Sequence, residues 1–207
     1  RISDKIIIVP NWLDYSQRPD EIVIKMEPGC AFGTGTHQTT QLCIYCIEKY
    51  MHENSKVADI GTGSGILAIC AMKSGAKSAY GCDNDETVIA VAKENALRNS
   101  VECTFEYGNV DKITDKYDFV MANILHNVLA EIMCDLKNIL TTDGILVLSG
   151  ILDEKKSVVI DSMLKNDLEI IEEKHQDQLR CSRLGFRGLS QRQSCRQAYW
   201  WLYGILL

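Results

Sequence analysis

Residues 57–65 read Val-Ala-Asp-Ile-Gly-Thr-Gly-Ser-Gly, and an acid, Asp83, follows at the end of the next apolar run. An apolar strand that runs into three glycines spaced two apart has few folds open to it. Glycine lets backbone approach a ligand where any Cβ would clash. The helix expected over 66–73 offers unpaired N–H groups at its start. An acid about 20 residues on, after a second strand, suits a ribose diol. These features predict a nucleoside-containing cofactor lying across the carboxyl ends of the first two sheet strands.

The rest of the chain is patterned to match. Strands are expected over 57–60, 79–82, 103–107, 119–122, 144–149 and 168–171. Helices are expected over 39–51, 66–73, 87–98, 128–140 and 157–164 from apolar residues at helical spacing. Two further short strands, 6–9 and 21–25, precede them and are separated by a polar turn-like stretch. Strands alternating with helices predict an α/β fold with a doubly wound, Rossmann-like, mostly parallel sheet.

Charge and cysteine usage narrow the function classes. All 28 acids lie in residues 1–177 against 17 basic residues, a net −11 for that body. Such a body argues against a phosphate-backbone binder, which needs a basic track, so no direct nucleic-acid binding is expected. It is compatible with a basic protein substrate. The nine cysteines are scattered, and most sit inside apolar runs (Cys43, Cys46, Cys70, Cys82, Cys134), which suits packing. Cys43 and Cys46 have no second pair at zinc spacing, so no metal is expected. An odd cysteine count without a secretory segment predicts a reducing, cytoplasmic setting. No run of 18 or more apolar residues occurs, so no membrane span is expected.

Residues 29–40, Gly-Cys-Ala-Phe-Gly-Thr-Gly-Thr-His-Gln-Thr-Thr, form the second dense signal. The stretch is rich in glycine and hydroxyls and feeds directly into a helix, with Thr36, Thr39 and Thr40 as candidate N-caps. It is expected to act as a lid that brings hydroxyls and backbone N–H groups to the cofactor.

The glycine spacing Gly61-x-Gly63-x-Gly65, with Asp59 two residues before it, differs from the dinucleotide fingerprint. It resembles motif I of class I S-adenosylmethionine-dependent methyltransferases. Residues 27–40, the stretch Asp59-Ile-Gly-Thr-Gly-Ser-Gly-Ile-Leu-Ala-Ile69 and Ala122-Asn-Ile-Leu125 together closely resemble the ribosomal protein L11 methyltransferase family. That resemblance runs from about Ile6 to Glu173. It implies transfer of methyl from S-adenosylmethionine to lysine or α-amino groups of a large-subunit ribosomal protein. It places cofactor contacts on Thr40, Gly61, Asp83 and Asn123.

The residues themselves add Asp59, Gly63 and Asn109, the last at the end of the third core strand where adenine would be read. Asn123 ends the fourth core strand, at the methyl end of such a cofactor. Its amide oxygen can accept hydrogen bonds from an incoming amine, so it is the candidate catalytic residue. Ala-Asn-Ile-Leu is not the Asn-Pro-Pro-Tyr of amino-methylating enzymes that act on DNA, glutamine and some RNA bases, which weighs against a nucleobase substrate. His37 and His126 lie near this site and are read as loop-ordering or surface residues rather than bases. Two alternatives stay open: a lysine methyltransferase with a non-ribosomal protein substrate, and a cofactor-binding piece without transfer activity.

Three segments are expected: N-terminal strands with the glycine-rich lid over 1–35, a cofactor-binding core over 36–177, and an atypical tail over 178–207. The chain opens on Arg1 rather than Met, as expected for a piece of a longer protein. The tail holds five arginines with no lysine and no acid, whereas lysine outnumbers arginine 14 to 3 before it. It is read either as a seventh strand, 198–207 being apolar enough, or as frame-shifted sequence.

Overall fold

The computed structural model describes residues 1–27, 37–175 and 199–206. The segment expected as a lid, before His37, and most of the tail lie outside these residues. Strands β1 (Ile6–Pro10) and β2 (Ile22–Met26) pair in parallel as a small separate sheet. Seven further strands form the main sheet: β3 (Lys56–Ile60), β4 (Ser78–Asp83), β5 (Cys103–Tyr107), β6 (Tyr117–Asn123), β7 (Leu140–Leu152), β8 (Leu168–His175) and β9 (Tyr199–Leu206). Their order across the sheet is β5-β4-β3-β6-β7-β9-β8. The pairs from β5 to β7 are parallel, and β9 alone runs antiparallel, between β7 and β8. The expected mostly parallel, doubly wound sheet is present, and the tail supplies a strand within it.

Helices α1 (Gln38–Tyr50), α2 (Ile66–Lys73), α3 (Glu86–Arg98), α4 (His126–Glu131), α5 (Met133–Asn138) and α6 (Lys156–Lys165) complete the layers. Side chains alternate across a strand, and the two faces of this sheet build two cores. Val57, Phe119, Met121 and Val147 pack with Leu42, Ile47, Ile69 and Ala92 of α1, α2 and α3. Ala58, Val120, Ala122, Leu146 and Leu148 face the other way, onto Leu129, Met133, Leu136, Val159 and Met163 of α4, α5 and α6. These strands are buried on both faces, which is why they read as continuous apolar runs.

Three expectations need correcting. The helix expected over 128–140 is two short helices broken at Ile132, whose ψ of 8° interrupts the spiral. Its end comes early because the Tyr117 N–H donates to the Ile139 carbonyl, committing Leu140 to β7. The cap of α1 is His37, whose side chain accepts from the Thr39 N–H, while Thr39 and Thr40 are buried inside the first turn. Cys134 is exposed rather than packed, whereas Cys43, Cys46, Cys70 and Cys82 are buried.

The small sheet is anchored to the larger body by Asn99, at the end of α3. Its side chain both accepts from the Lys25 N–H at 2.8 Å and donates to the Lys25 carbonyl at 2.7 Å. Glu21, just before β2, is buried and accepts from Arg1, Tyr15 and the Arg18 N–H. These polar groups satisfy one another where the sequence turns between β1 and β2. Among the described residues, no helix is long and apolar enough to cross a membrane.

Phe119 is fully buried in the core beneath α1 and α2. Phe119→Ala is expected to lower stability by about 3–5 kcal/mol, from lost transfer energy plus the cavity left behind. Urea unfolding checks this, and a loss near zero would contradict the assigned core.

Candidate active site

In an open parallel sheet, ligands bind outside the carboxyl ends of the strands where the strand order reverses. Here that point lies between β3, which leads to β4 and β5, and β6, which begins the other half. A cavity of about 1090 Å³ opens there. It is walled by the ends of β3, β4, β5, β6 and β7 and by the start of α1. Every candidate residue read from the sequence borders it: Thr40, Asp59, Gly61, Gly63, Asp83, Asn109 and Asn123, with His37 and His126.

The glycine turn is built from the left-handed backbone that glycine alone adopts cheaply. Gly61, Gly63 and Gly65 have φ of 72°, 52° and 78°. At Gly65 a Cβ would come within 2.9 Å of Phe105 Cζ and 3.0 Å of Ala92 Cβ, so glycine also lets α2 settle against α3 and β5. The N–H groups of Gly61 and Thr62 extend the ladder to the Cys82 carbonyl. Gly63 donates its N–H to Asp83 Oδ2 at 3.0 Å. The other Asp83 oxygen accepts from the Asp85 N–H at 3.1 Å. Two backbone donors thus fix the carboxylate in place. An ionised carboxylate has about four lone-pair sites, so Asp83 keeps capacity to accept a pair of hydroxyls.

Asp59 lies one layer deeper. It is fully buried and accepts from the Thr62 hydroxyl at 2.8 Å. Burial pushes its pKa up to about 7, and the neighbouring Asp83 charge adds to this; hydrogen bonds from Thr62 and the Ala68 backbone pull the other way. Across the cavity, Asn123 Nδ2 donates a long 3.5 Å hydrogen bond to Thr40 Oγ1. That leaves the Asn123 amide oxygen as an acceptor. Asn109 borders the cavity with an exposed side chain.

Some residues that build the site carry no signal in the sequence. Asn95, outside the cavity lining, occupies a buried position in the apolar stripe of α3 and donates to the Ser64 carbonyl at 2.9 Å, holding the glycine turn from behind. Asp85, Asp111, Asp135 and Gly150 border the cavity. Five carboxylates therefore line it, and no lysine or arginine does among the described residues. Cys43 and Cys46 are not part of it; burial raises both thiols, Cys43 to about 12, so they behave as packing groups.

A folded pKa raised above the unfolded value means that Asp59 favours folding most when protonated. Its contribution is full below the unfolded pKa, about 3.9, and is lost as pH rises towards about 7. Asp59→Asn removes this titration. The melting temperature of the variant relative to the parent is expected to rise between pH 4 and pH 8. Thermal melts at the two pH values check it, and a pH-independent difference would contradict it.

The ribosomal protein L11 methyltransferase family model matches residues 1–184. The L11 methyltransferase of Dictyoglomus turgidum is 41% identical over 175 residues, covering 84% of this chain and 58% of that protein. The enzyme of Alkaliphilus oremlandii is 45% identical over 174 residues, covering 83% of this chain and 56% of that one. The chain thus spans little more than half the length of these relatives. The crystal structure of a ribosomal protein L11 methylase from Lactobacillus delbrueckii subsp. bulgaricus superposes with a TM-score of 0.83 at 31% identity. It covers 99% of this chain and 96% of that one. With the switch-point cavity, the glycine turn and these matches agreeing, the chain belongs to the ribosomal protein L11 methyltransferase family.

Proposed function

We propose that this chain binds S-adenosylmethionine in the switch-point cavity and transfers its methyl group to an amine of a protein, ribosomal protein L11 being the substrate its family points to. The observation that carries the reading is the charge of the cavity: four carboxylates besides the deeply buried Asp59 and, among the described lining residues, no lysine or arginine. Such a lining opposes a diphosphate and favours cations, which both a sulfonium and an incoming ammonium are. On this reading residues 36–177 form the cofactor-binding core, and 1–35 supply the N-terminal strands and lid. A protein methyltransferase with no membrane-spanning helix among its described residues suits work in the cytoplasm.

The residues present fit the cofactor. Asp83 would accept the two ribose hydroxyls as charge-assisted bonds, about twice as strong as neutral ones. Gly61 and Gly63 would let backbone lie close to it, Asn109 would meet the adenine, and Asp59 would sit beneath the turn. When bound, the cofactor supplies a methyl group that is already strongly electrophilic. The protein's task is then alignment. Asn123, with its Nδ2 committed to Thr40, would turn its amide oxygen to the amine N–H and hold the lone pair on line.

A lysine amine titrates near 10.4, so baring it at pH 7 costs about 4.6 kcal/mol. Desolvation in the cavity and a neighbouring sulfonium charge both disfavour the ammonium and lower that cost. No strong base is required, and neither His37 nor His126 is assigned that role.

The test is incubation of the chain with methyl-labelled S-adenosylmethionine and purified ribosomal protein L11. Label that is lost to protease and kept after nuclease is the expected result. Cofactor binding with no label in any protein would overturn the transfer reading. Asp83→Ala is expected to weaken cofactor binding by roughly 1.5–3 kcal/mol, the usual range for bonds to a charged group. Unchanged affinity by calorimetry would remove its ribose role. Asn123→Ala is expected to lower transfer more than binding, and equal losses would make it a cofactor contact only.

A further inference from the structure

Ser149 and Gly150, near the end of β7, hold the two sides of the cavity together without being part of the assigned set. The β6–β7 ladder ends on the pair Asn123 and Ser149. On the other edge of β7, pairing with β9 runs through Leu148 and resumes at Ile151, so both residues fall in an irregularity of the ladder. Bulges of this kind re-aim side chains beside active sites. Ser149 is fully buried, and its hydroxyl donates to the Thr39 carbonyl at 3.2 Å. Thr39 adjoins Thr40, which accepts from Asn123. The contacts thus close a circuit: Asn123 to Thr40, Thr39 to Ser149, and Ser149 back to Asn123 through the strand pair.

Gly150 sets the remaining distance. Its φ is 85°, and a Cβ there would lie 2.6 Å from the Ile124 carbonyl oxygen and 3.4 Å from Asn123 Oδ1. The obstruction is backbone, which cannot swing aside as a flexible side chain would. Absence of a side chain therefore lets β7 close on the segment that carries Asn123.

We infer that Ser149 and Gly150 are positioning residues that set the gap between Asn123 and the first turn of α1, and with it the seat of the acceptor amine. The inference rests on the transfer reading above for its consequence, and on the circuit of contacts for its geometry. Neither residue needs to touch the cofactor. A shift of the Asn123 amide by a fraction of an ångström would misalign the amine while leaving the ribose end at Asp83 undisturbed.

The test compares Gly150→Ala and Ser149→Ala with the parent in the full chain. The side-chain amide resonance of Asn123 is expected to move in both variants, while the Gly63 backbone resonance stays. The S-adenosylmethionine Kd is expected to change by less than about twofold, whereas kcat falls about tenfold to a hundredfold with KM held. Ser149→Ala removes only a hydroxyl, with its contacts to Thr39 and Cys43, so it carries the test if Gly150→Ala does not fold. An unmoved Asn123 resonance in Ser149→Ala would overturn the inference, as would a cofactor Kd that rises in step with the loss of kcat. If the parent itself transfers no methyl, the transfer reading fails, and the Asn123 resonance still decides whether these residues position it.

Discussion

The hydrogen bond from the Gly63 N–H to the Asp83 carboxylate joins the ends of two adjacent parallel strands. It exists only because Gly61, Gly63 and Gly65 all adopt left-handed backbone, which bends the chain leaving β3 across the mouth of β4. Asp59 and Thr62 brace that bend from below, and Asn95 braces it from α3. Remove the bend and β3 would run on past the sheet, α2 would lose its seat against Phe105 and Ala92, and no cavity would form at the switch point. The site therefore follows from the fold's own packing, and the acidic lining then decides which ligands it favours.

The two ends of the cavity are built on different terms. At the Asp83 end, the carboxylate is held by backbone donors belonging to rigid turns, so its position depends little on other side chains. At the Asn123 end, the amide is held by a long bond to Thr40 and by the closeness of β7, so its position depends on elements far apart in the chain. Tight cofactor binding asks for the first arrangement. Alignment of a second reactant asks for a groove that adjoining elements can set finely, which the second supplies.

Much of this is legible in the amino-acid sequence. The glycine turn, Asp83 and the alternation of strand and helix leave local marks: a special φ, an acid at a strand end, a hydrophobic period. The doubly buried strands of the main sheet are apolar throughout for the same local reason. What was not legible depends on distant partners. Asn95 reads as an ordinary polar residue until its partner 31 positions away is known. Ser149 meets a carbonyl 110 positions earlier, and Gly150 is needed because of the Ile124 carbonyl just past β6. The break at Ile132 and the cap at His37 were missed because helical period alone does not register a single interrupted turn or a side chain folding back on its own helix.

The central claim is that the acidic switch-point cavity accepts a nucleoside sulfonium and not a dinucleotide. Calorimetric titration of the chain with S-adenosylmethionine, with NAD as control, tests it most directly. Saturable micromolar binding of the first and none of the second is the predicted result. Binding of NAD, or no binding of S-adenosylmethionine to the folded chain, would contradict the account.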